Sequence, residues 1–189
     1  SSDVCSSDLV VVDETLTFLQ RAKHVELKRL MDFEVGDSFE DTMVRAGKSV
    51  ATGVSDVLTA AAAGYPFMVQ LVGYYTWQSA SRRGSDAIEL RDAQKGIATA
   101  RKSFDNMVIE PALRRVSGKQ FEYLAAMARC GSGPVASGDI AREMGVDPTS
   151  VSTYRRRLVD AALIEAPSYG VVSFAIPYMR EYLIEHVRE

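Results

Sequence analysis

The chain is poor in the residues that build metal sites, disulfide frameworks and acid–base centres. Its 189 residues include two cysteines and two histidines. Cys5 and Cys130 form no metal-ligand or disulfide spacing, so a reducing, cytoplasmic setting is expected. His24 and His186 stand alone and read as surface or packing histidines. No apolar run approaches the roughly 20 residues of a membrane helix, so no membrane partner is expected. Excess positive charge is lacking too: 22 Lys and Arg face 25 Asp and Glu, for a net charge of −3. There is thus no global basic field to attract nucleic acid. The sequence holds no G-x-x-x-x-G-K-[ST] phosphate loop and no apolar strand ending in paired acids for Mg²⁺. Those groups cradle phosphates and hold the metal. Without them this stretch is not expected to hydrolyse a nucleotide, and no catalytic residue or metal ligand is assigned.

What remains is 47% hydrophobic, which suits one or two globular domains with a real core. The first nine residues, Ser-Ser-Asp-Val-Cys-Ser-Ser-Asp-Leu, stand apart. They are polar and lack methionine, and they read codon by codon as a translated sequencing-library adapter. Residues 1–9 are therefore set aside as non-native, and the natural protein is expected to continue upstream of Val10.

Asp13 to Ala22 reads as a short helix with Asp13 as its cap, Glu14 in the first turn and Leu16, Phe18 and Leu19 inward. Val25 to Val35 alternates loosely, suggesting a strand. Asp37-Ser38 then caps a helix with Phe39, Met43, Ala46 and Val50 at helical spacing. Val54 to Ala63 is a further helix ended by Gly64. Pro66 opens a helix apolar all round (Phe67, Met68, Val69, Leu71, Val72, Tyr74, Tyr75, Trp77), expected at the centre of a bundle. A polar loop over 81–86 leads to a long helix from about Arg91, with Ala93, Ile97, Ala100, Phe104 and Val108 inward. Pro111 should bend or break it.

From Ser117-Gly118 the pattern changes. A helix runs from about Lys119 to Cys130, and a second opens at Ser137 with Ile140, Ala141 and Met144. Gly145-Val146 turns the chain. Asp147-Pro148 starts a third helix with Val151, Leu158, Val159 and Ala162 on one face. Two apolar segments, 163–166 and 171–176, are joined through Pro167-Ser168-Tyr169-Gly170. A last helix spans about Pro177 to Val187, with Tyr178, Tyr182 and Leu183 inward; Tyr169, Tyr178 and Tyr182 form a candidate aromatic cluster. Helix, helix, turn, helix, hairpin is the order of a winged helix, a module that binds DNA or docks on a larger machine.

The segment Ala63-Gly64-Tyr65-Pro66-Phe67-Met68-Val69-Gln70-Leu71-Val72-Gly73 resembles the Gly-x-Pro turn in the helical lid of AAA+ and signal-transduction P-loop ATPases. Together with residues 13–22, Tyr74, Ser152-Thr153-Tyr154-Arg155 and Tyr169-Gly170, it is similar to a bacterial, notably actinobacterial, group of AAA+ ATPases related to the archaeal and origin-initiator branch. The resemblance implies that ATP or ADP with Mg²⁺ is held by an upstream core of the same parent chain. Gly64, Tyr65, Pro66 and Phe67 would then be the lid residues against the nucleotide. A Gly-Pro turn admits close backbone approach and a helix N-terminus offers free N–H groups. The alternative is that Gly64 ends one helix and Pro66 begins the next, and nothing more. The arginine that many such lids place early in this helix is absent, because Phe67, Met68, Val69 and Gln70 occupy those positions. Arg21 reads as a solvated surface arginine or as an inter-subunit finger in the parent assembly. No nucleotide is expected to bind tightly to this stretch alone.

The third helix of the C-terminal module offers Thr149, Ser150, Ser152, Thr153, Arg155, Arg156 and Arg157 as DNA contacts. Three consecutive arginines spread round a helix, so some must face outward. Against this, residues 117–189 carry eight basic and nine acidic side chains, and DNA affinity comes largely from phosphate neutralisation. Asp147 and Asp160 could pair with the arginines, and the wing tip has no basic residue. The expected architecture is mainly α: a core remnant over 10–36, a helical lid over 37–116 and a winged helix with a small β-hairpin over 117–189. The expected function is to couple nucleotide state upstream to DNA or a protein partner. The competing reading is a winged-helix transcriptional regulator with a helical dimerisation or sensor domain.

Overall fold

The computed structural model describes residues 29–186. The 1–9 segment, the helix expected over 13–22, the Val25–Lys28 part of the expected strand, Cys5, Arg21, His24 and Val187 lie outside the described residues.

Helix α1 runs from Asp32 to Arg45, two residues past Leu30 rather than from the Asp37-Ser38 cap that the sequence suggested. Val35, Phe39 and Met43 recur every four residues and are buried, and the Glu34 carboxylate accepts the Met31 N–H at 3.0 Å, closing the first turn. The strand expected to reach Val35 is therefore helical over 32–35, and α1 crosses the expected 36/37 border. Two-residue strands follow on either side of the next helices: β1 (Ser49–Val50) pairs in parallel with β2 (Ala87–Ile88). Helix α2 (Val54–Ala62) buries Val54, Leu58 and Ala62.

Helix α3 (Pro66–Arg82) starts on its proline and extends into the expected 81–86 loop. It is not sealed all round. Met68, Val72, Thr76 and Ala80 are fully buried, whereas Tyr74 is 55% and Trp77 40% exposed. Four-residue spacing selected one face for the core and left the larger rings beside a shallow apolar cleft against Phe39 and Met43 of α1.

Helix α4 (Leu90–Phe104) buries Asp92, Ala93, Gly96, Ala100 and Phe104. α3 and α4 approach closely at Gly96, where an added Cβ would stand 2.7 Å from Thr76 Cα and closer still to Thr76 Oγ1. The buried Asp92 carboxylate ties the far ends of the two helices. It accepts from Arg83 Nη2 at 2.7 Å, Ser79 Oγ at 3.0 Å and the Glu89 N–H at 3.1 Å. Burial pushes the Asp92 carboxyl up, but the Arg83 guanidinium, the Glu89 N–H and the Ser79 hydroxyl together hold it below the ordinary carboxylate range.

Pro111 does not end the helical run at once. The chain widens one turn earlier, through a π-helical turn over Asp105–Ile109, and continues as α5 (Glu110–Leu113). The wider turn leaves room for a residue that lacks an N–H donor.

The elements expected over 117–176 follow in order, with one strand added. Ser117 caps α6 (Gly118–Cys130) through reciprocal bonds with Gln120. Strand β3 (Val135–Ala136) leads into α7 (Ser137–Glu143). Helix α8 spans Ser152–Asp160, later than expected, because Asp147 Oδ1 accepts both the Thr149 N–H (2.8 Å) and the Thr149 hydroxyl (2.6 Å) and holds a turn ahead of it. Ala162 is exposed with φ +54°, beyond the helix it was expected to join. β4 (Ile164–Ser168) and β5 (Val171–Phe174) form a hairpin, and β3 completes an antiparallel sheet in the order β3-β5-β4. α9 (Met179–His186) buries Met179 and Leu183. One apolar cluster runs from Val35 in α1 to Leu183 in α9, so the bundle and the C-terminal module share a core. Among the described residues no helix is long and apolar enough to cross a membrane.

Two stability measurements check this packing. Gly96→Ala should lower the unfolding free energy by about 3 kcal/mol, because the new methyl meets the Thr76 backbone as well as its hydroxyl, and the backbone cannot swing aside. Asp92→Asn should cost about 2 kcal/mol at neutral pH by leaving buried donors poorly matched. A carboxyl lowered on folding contributes stability above its unfolded value and loses it as pH falls through the folded value. The gap between Asp92→Asn and the unaltered chain in urea titrations should therefore narrow below about pH 4.

Candidate functional sites

Gly64, Tyr65, Pro66 and Phe67 sit at the junction of α2 and α3. Ala63 (φ +50°) and Gly64 (φ +66°) are both left-handed, which reverses the chain before Pro66 starts the next helix. Gly64 is buried. Its carbonyl accepts the Leu30 N–H at 2.8 Å, and a Cβ there would stand 2.6 Å from the Leu30 carbonyl oxygen. The close approach that glycine allows is thus used by the chain's own backbone where it enters α1. Tyr65, Pro66 and Phe67 are half-buried. The Tyr65 ring meets Phe104 edge-on at 5.5 Å, and the Phe67 ring lies 6.3 Å from Phe104. Gly64 thus meets Leu30, while Tyr65 and Phe67 meet Phe104.

Phe104 in turn meets Tyr178 of the C-terminal module edge-on at 6.5 Å. This link was not legible beforehand. The spacing of α4 placed Phe104 inward, but nothing in it named the rings that would reach it. The expected tyrosine cluster does not form. Tyr169 is fully exposed at the hairpin tip, Tyr182 stacks on the His186 ring at 4.1 Å near Asp105 and Glu110, and Tyr178 meets Phe104.

The seven residues proposed on the other face lie on α8 and the turn before it. Thr149 and Ser152 spend their hydroxyl protons on Asp147 and on the Thr149 carbonyl. Ser150, Thr153, Arg156 and Arg157 are exposed, and Arg155 is half-buried. Ser152, Thr153, Arg155 and Arg156 line a shallow groove of about 380 Å³ with Val159 and with Ala166 of β4; Thr149, Ser150 and Arg157 lie outside it.

Pairing separates these arginines from their neighbours. Lys119 pairs with Glu122 at 2.7 Å, Arg129 with Glu143 at 2.6 Å and Arg142 with Asp139 at 2.8 Å. Arg180 donates to the Gly131 carbonyl at 2.7 Å. Among the described residues no carboxylate pairs with Arg155, Arg156 or Arg157, and Asp147 and Asp160 do not act as their partners. Arg155 Nε is buried without a hydrogen-bond partner. The buried Tyr123 hydroxyl lies close enough to feel this cation: burial pushes the hydroxyl up, and Arg155 draws it partly back. Among the described residues no group of three or more His, Cys, Asp or Glu side chains is placed to hold a metal ion.

A family described as "Domain of unknown function (DUF8462)" matches residues 106–183. No curated protein matches the chain. Among solved structures, the chain is similar to the Holliday junction branch migration motor RuvB of Thermotoga maritima and to single-substitution forms of that protein, each at 14% identity and a TM-score of 0.41. These alignments cover 86% of this chain and 52% of RuvB, so the chain spans about half the length of the structures it matches.

Gly64→Ala tests the turn. A side chain at φ +66° with Leu30 backbone against its Cβ should cost at least about 2 kcal/mol, seen as a lower denaturation midpoint.

Proposed function

We propose that this chain is the helical lid and winged-helix part of an AAA+-type switch ATPase, which passes nucleotide-dependent motion of an upstream core to a DNA-contacting face on α8. The observation that carries the reading is a continuous line of contact. It starts at the Leu30–Gly64 hydrogen bond, where the chain enters α1, and runs through Tyr65 and Phe67 to Phe104. From Phe104 it crosses to Tyr178 and the module that carries Arg155, Arg156 and Arg157.

ATP or ADP with Mg²⁺ would be held by the upstream core. This chain's residues fit only a lid role towards it: Gly64 is filled by Leu30, and Tyr65, Pro66 and Phe67 keep partial exposure beside it. The phosphate-cradling and metal-holding groups are absent from the sequence. Upstream motion then reaches the turn through the Leu30 backbone, which does not require a nucleotide contact from Gly64 itself.

The α8 face supports nucleic acid because, among the described residues, no carboxylate pairs with its arginines, while Lys119, Arg129 and Arg142 are paired with carboxylates. Net module charge understates the field at such a face. The same arginines would serve a transcriptional regulator with no ATPase upstream. The genomic sequence ahead of Val10 separates the two readings, since only the switch ATPase requires a G-x-x-x-x-G-K-[ST] segment in frame.

The DNA arm has its own experiment. The chain should be retained on duplex DNA at low salt, with affinity falling as salt rises. Replacing Arg155, Arg156 and Arg157 by Ala should reduce the log–log salt slope by about 2 to 3, near one unit per lost phosphate contact. Equal retention by both forms, or none by the unaltered chain, would remove DNA from the proposal.

A further inference from the structure

Tyr178 lies between β5 and α9 with φ +65°, a backbone conformation that a bulky residue keeps only when its surroundings over-determine it. Three contacts do so. Its hydroxyl donates to the carbonyl oxygen of Ala61 in α2. Its ring lies 4.0 Å from the Arg101 guanidinium carbon and stands edge-on to Phe104. All three partners belong to the helical bundle, whereas Tyr178 leads into the last helix of the C-terminal module.

The fit around this pin is incomplete. Arg101 Nε and Asp105 Oδ1 are both buried without hydrogen-bond partners, although the two residues stand one helical turn apart. Asp105 also opens the π-helical turn of Asp105–Ile109. Burial pushes its carboxyl above the ordinary range; Arg101 and His186 oppose that push, while Glu185 and Glu110 add to it. Native interiors leave few polar atoms unmatched, and π-turns concentrate where helices must adapt. A widened turn, a positive φ on a tyrosine and two unmatched polar atoms thus coincide at one junction.

We infer that Tyr178 is a releasable latch that fixes the C-terminal module against the helical bundle, and that the junction has a second arrangement in which the Ala61 contact is broken and the module turns about Asp105–Ile109. The α8 arginines travel with the module, so release re-aims them. Tyr65 and Phe67 touch the same Phe104 ring that braces Tyr178, so movement of the Gly64 turn loosens the pin. The latch takes from the proposed function only the source of that pull; its geometry stands without nucleotide.

Spin labels on the whole 189-residue chain test it. In a Cys5→Ser, Cys130→Ala background, Lys95→Cys on α4 and Tyr169→Cys at the hairpin tip place one label on each body, both at exposed positions. Pulsed electron spin resonance should give one dominant distance for the parent. Tyr178→Phe keeps the ring contacts and loses the Ala61 bond, and it should raise a second distance population about fivefold. Tyr178→Gly also relieves the backbone, and the second distance should then dominate. Circular dichroism confirms that each variant is folded; if Tyr178→Gly is not, Tyr178→Phe decides alone. A folded Tyr178→Phe with the parent's single distance would overturn the latch and leave Tyr178 a packing residue. Failure of DNA retention with a shifted distance would instead sink the DNA reading and leave the latch standing.

Discussion

The packing of Phe104 is the contact on which the arrangement of this molecule depends. It closes α4 fully buried, and rings from three other points of the chain meet it: Tyr65 and Phe67 from the start of α3, and Tyr178 from beyond the sheet. Aromatic pairs hold their relative orientation because the positive ring edge seeks the negative face. The Tyr65 and Tyr178 rings stand at 90° and 79° to Phe104, so both contacts specify direction as well as distance. An aliphatic side chain at 104 could fill the same volume yet would let either partner rotate. An aromatic ring, rather than generic apolar bulk, thus stands between the bundle and the module.

The helical part of this design is legible in the sequence where a four-residue repeat is unbroken, as in Val54, Leu58, Ala62 or Met68, Val72, Thr76, Ala80. It misleads where a polar pair mimics a cap. Asp37 and Ser38 look like a helix start, but they sit within α1, whose buried stripe already begins at Val35. Gly64 and Pro66 announce their turn because positive φ and a missing donor are local requirements. The partners of that turn are not local. Leu30, Phe104 and Tyr178 come together only through tertiary packing, and two-residue strands such as β1 and β2 are too short to carry any period. A proline at 177 marked the start of the last helix, but nothing in the sequence indicated that Tyr178 would take a left-handed backbone.

Charge shows a similar division between sum and arrangement. Counting residues makes the C-terminal module slightly acidic, yet the count treats every cation alike. Lys119 and Arg142 have carboxylates three residues away and Arg129 finds Glu143 across the turn, so these charges largely cancel at the surface. Such pairs add little stability, but they do remove charge from the outer field. On α8 the positions three and four away from the arginines hold Val151, Ser152, Thr153, Tyr154, Leu158, Val159, Asp160 and Ala161. Only Asp160 in that set could neutralise them, and it does not. Helical geometry and a local shortage of acids together leave a positive face on a module that is slightly acidic in total.

A mechanical link must be stiff along its length and soft at one place. The backbone hydrogen bond at Gly64 and the ring contacts at Phe104 supply stiffness, because neither can stretch without losing its geometry. Softness requires a site where two arrangements differ little in free energy. A fully satisfied, strain-free junction would favour one arrangement and would transmit nothing except by unfolding. The junction at Arg101, Asp105 and Tyr178 falls short of that: its unmatched Nε and Oδ1 have something to gain by moving, and its tyrosine backbone relaxes when released. Unmatched buried atoms also occur inside each body, at Thr76 Oγ1 and at the Tyr123 hydroxyl, but at the junction two of them stand beside a widened turn and a tyrosine of positive φ. It is that coincidence, rather than unmatched atoms alone, that would make this joint the soft point for a displacement entering at Leu30.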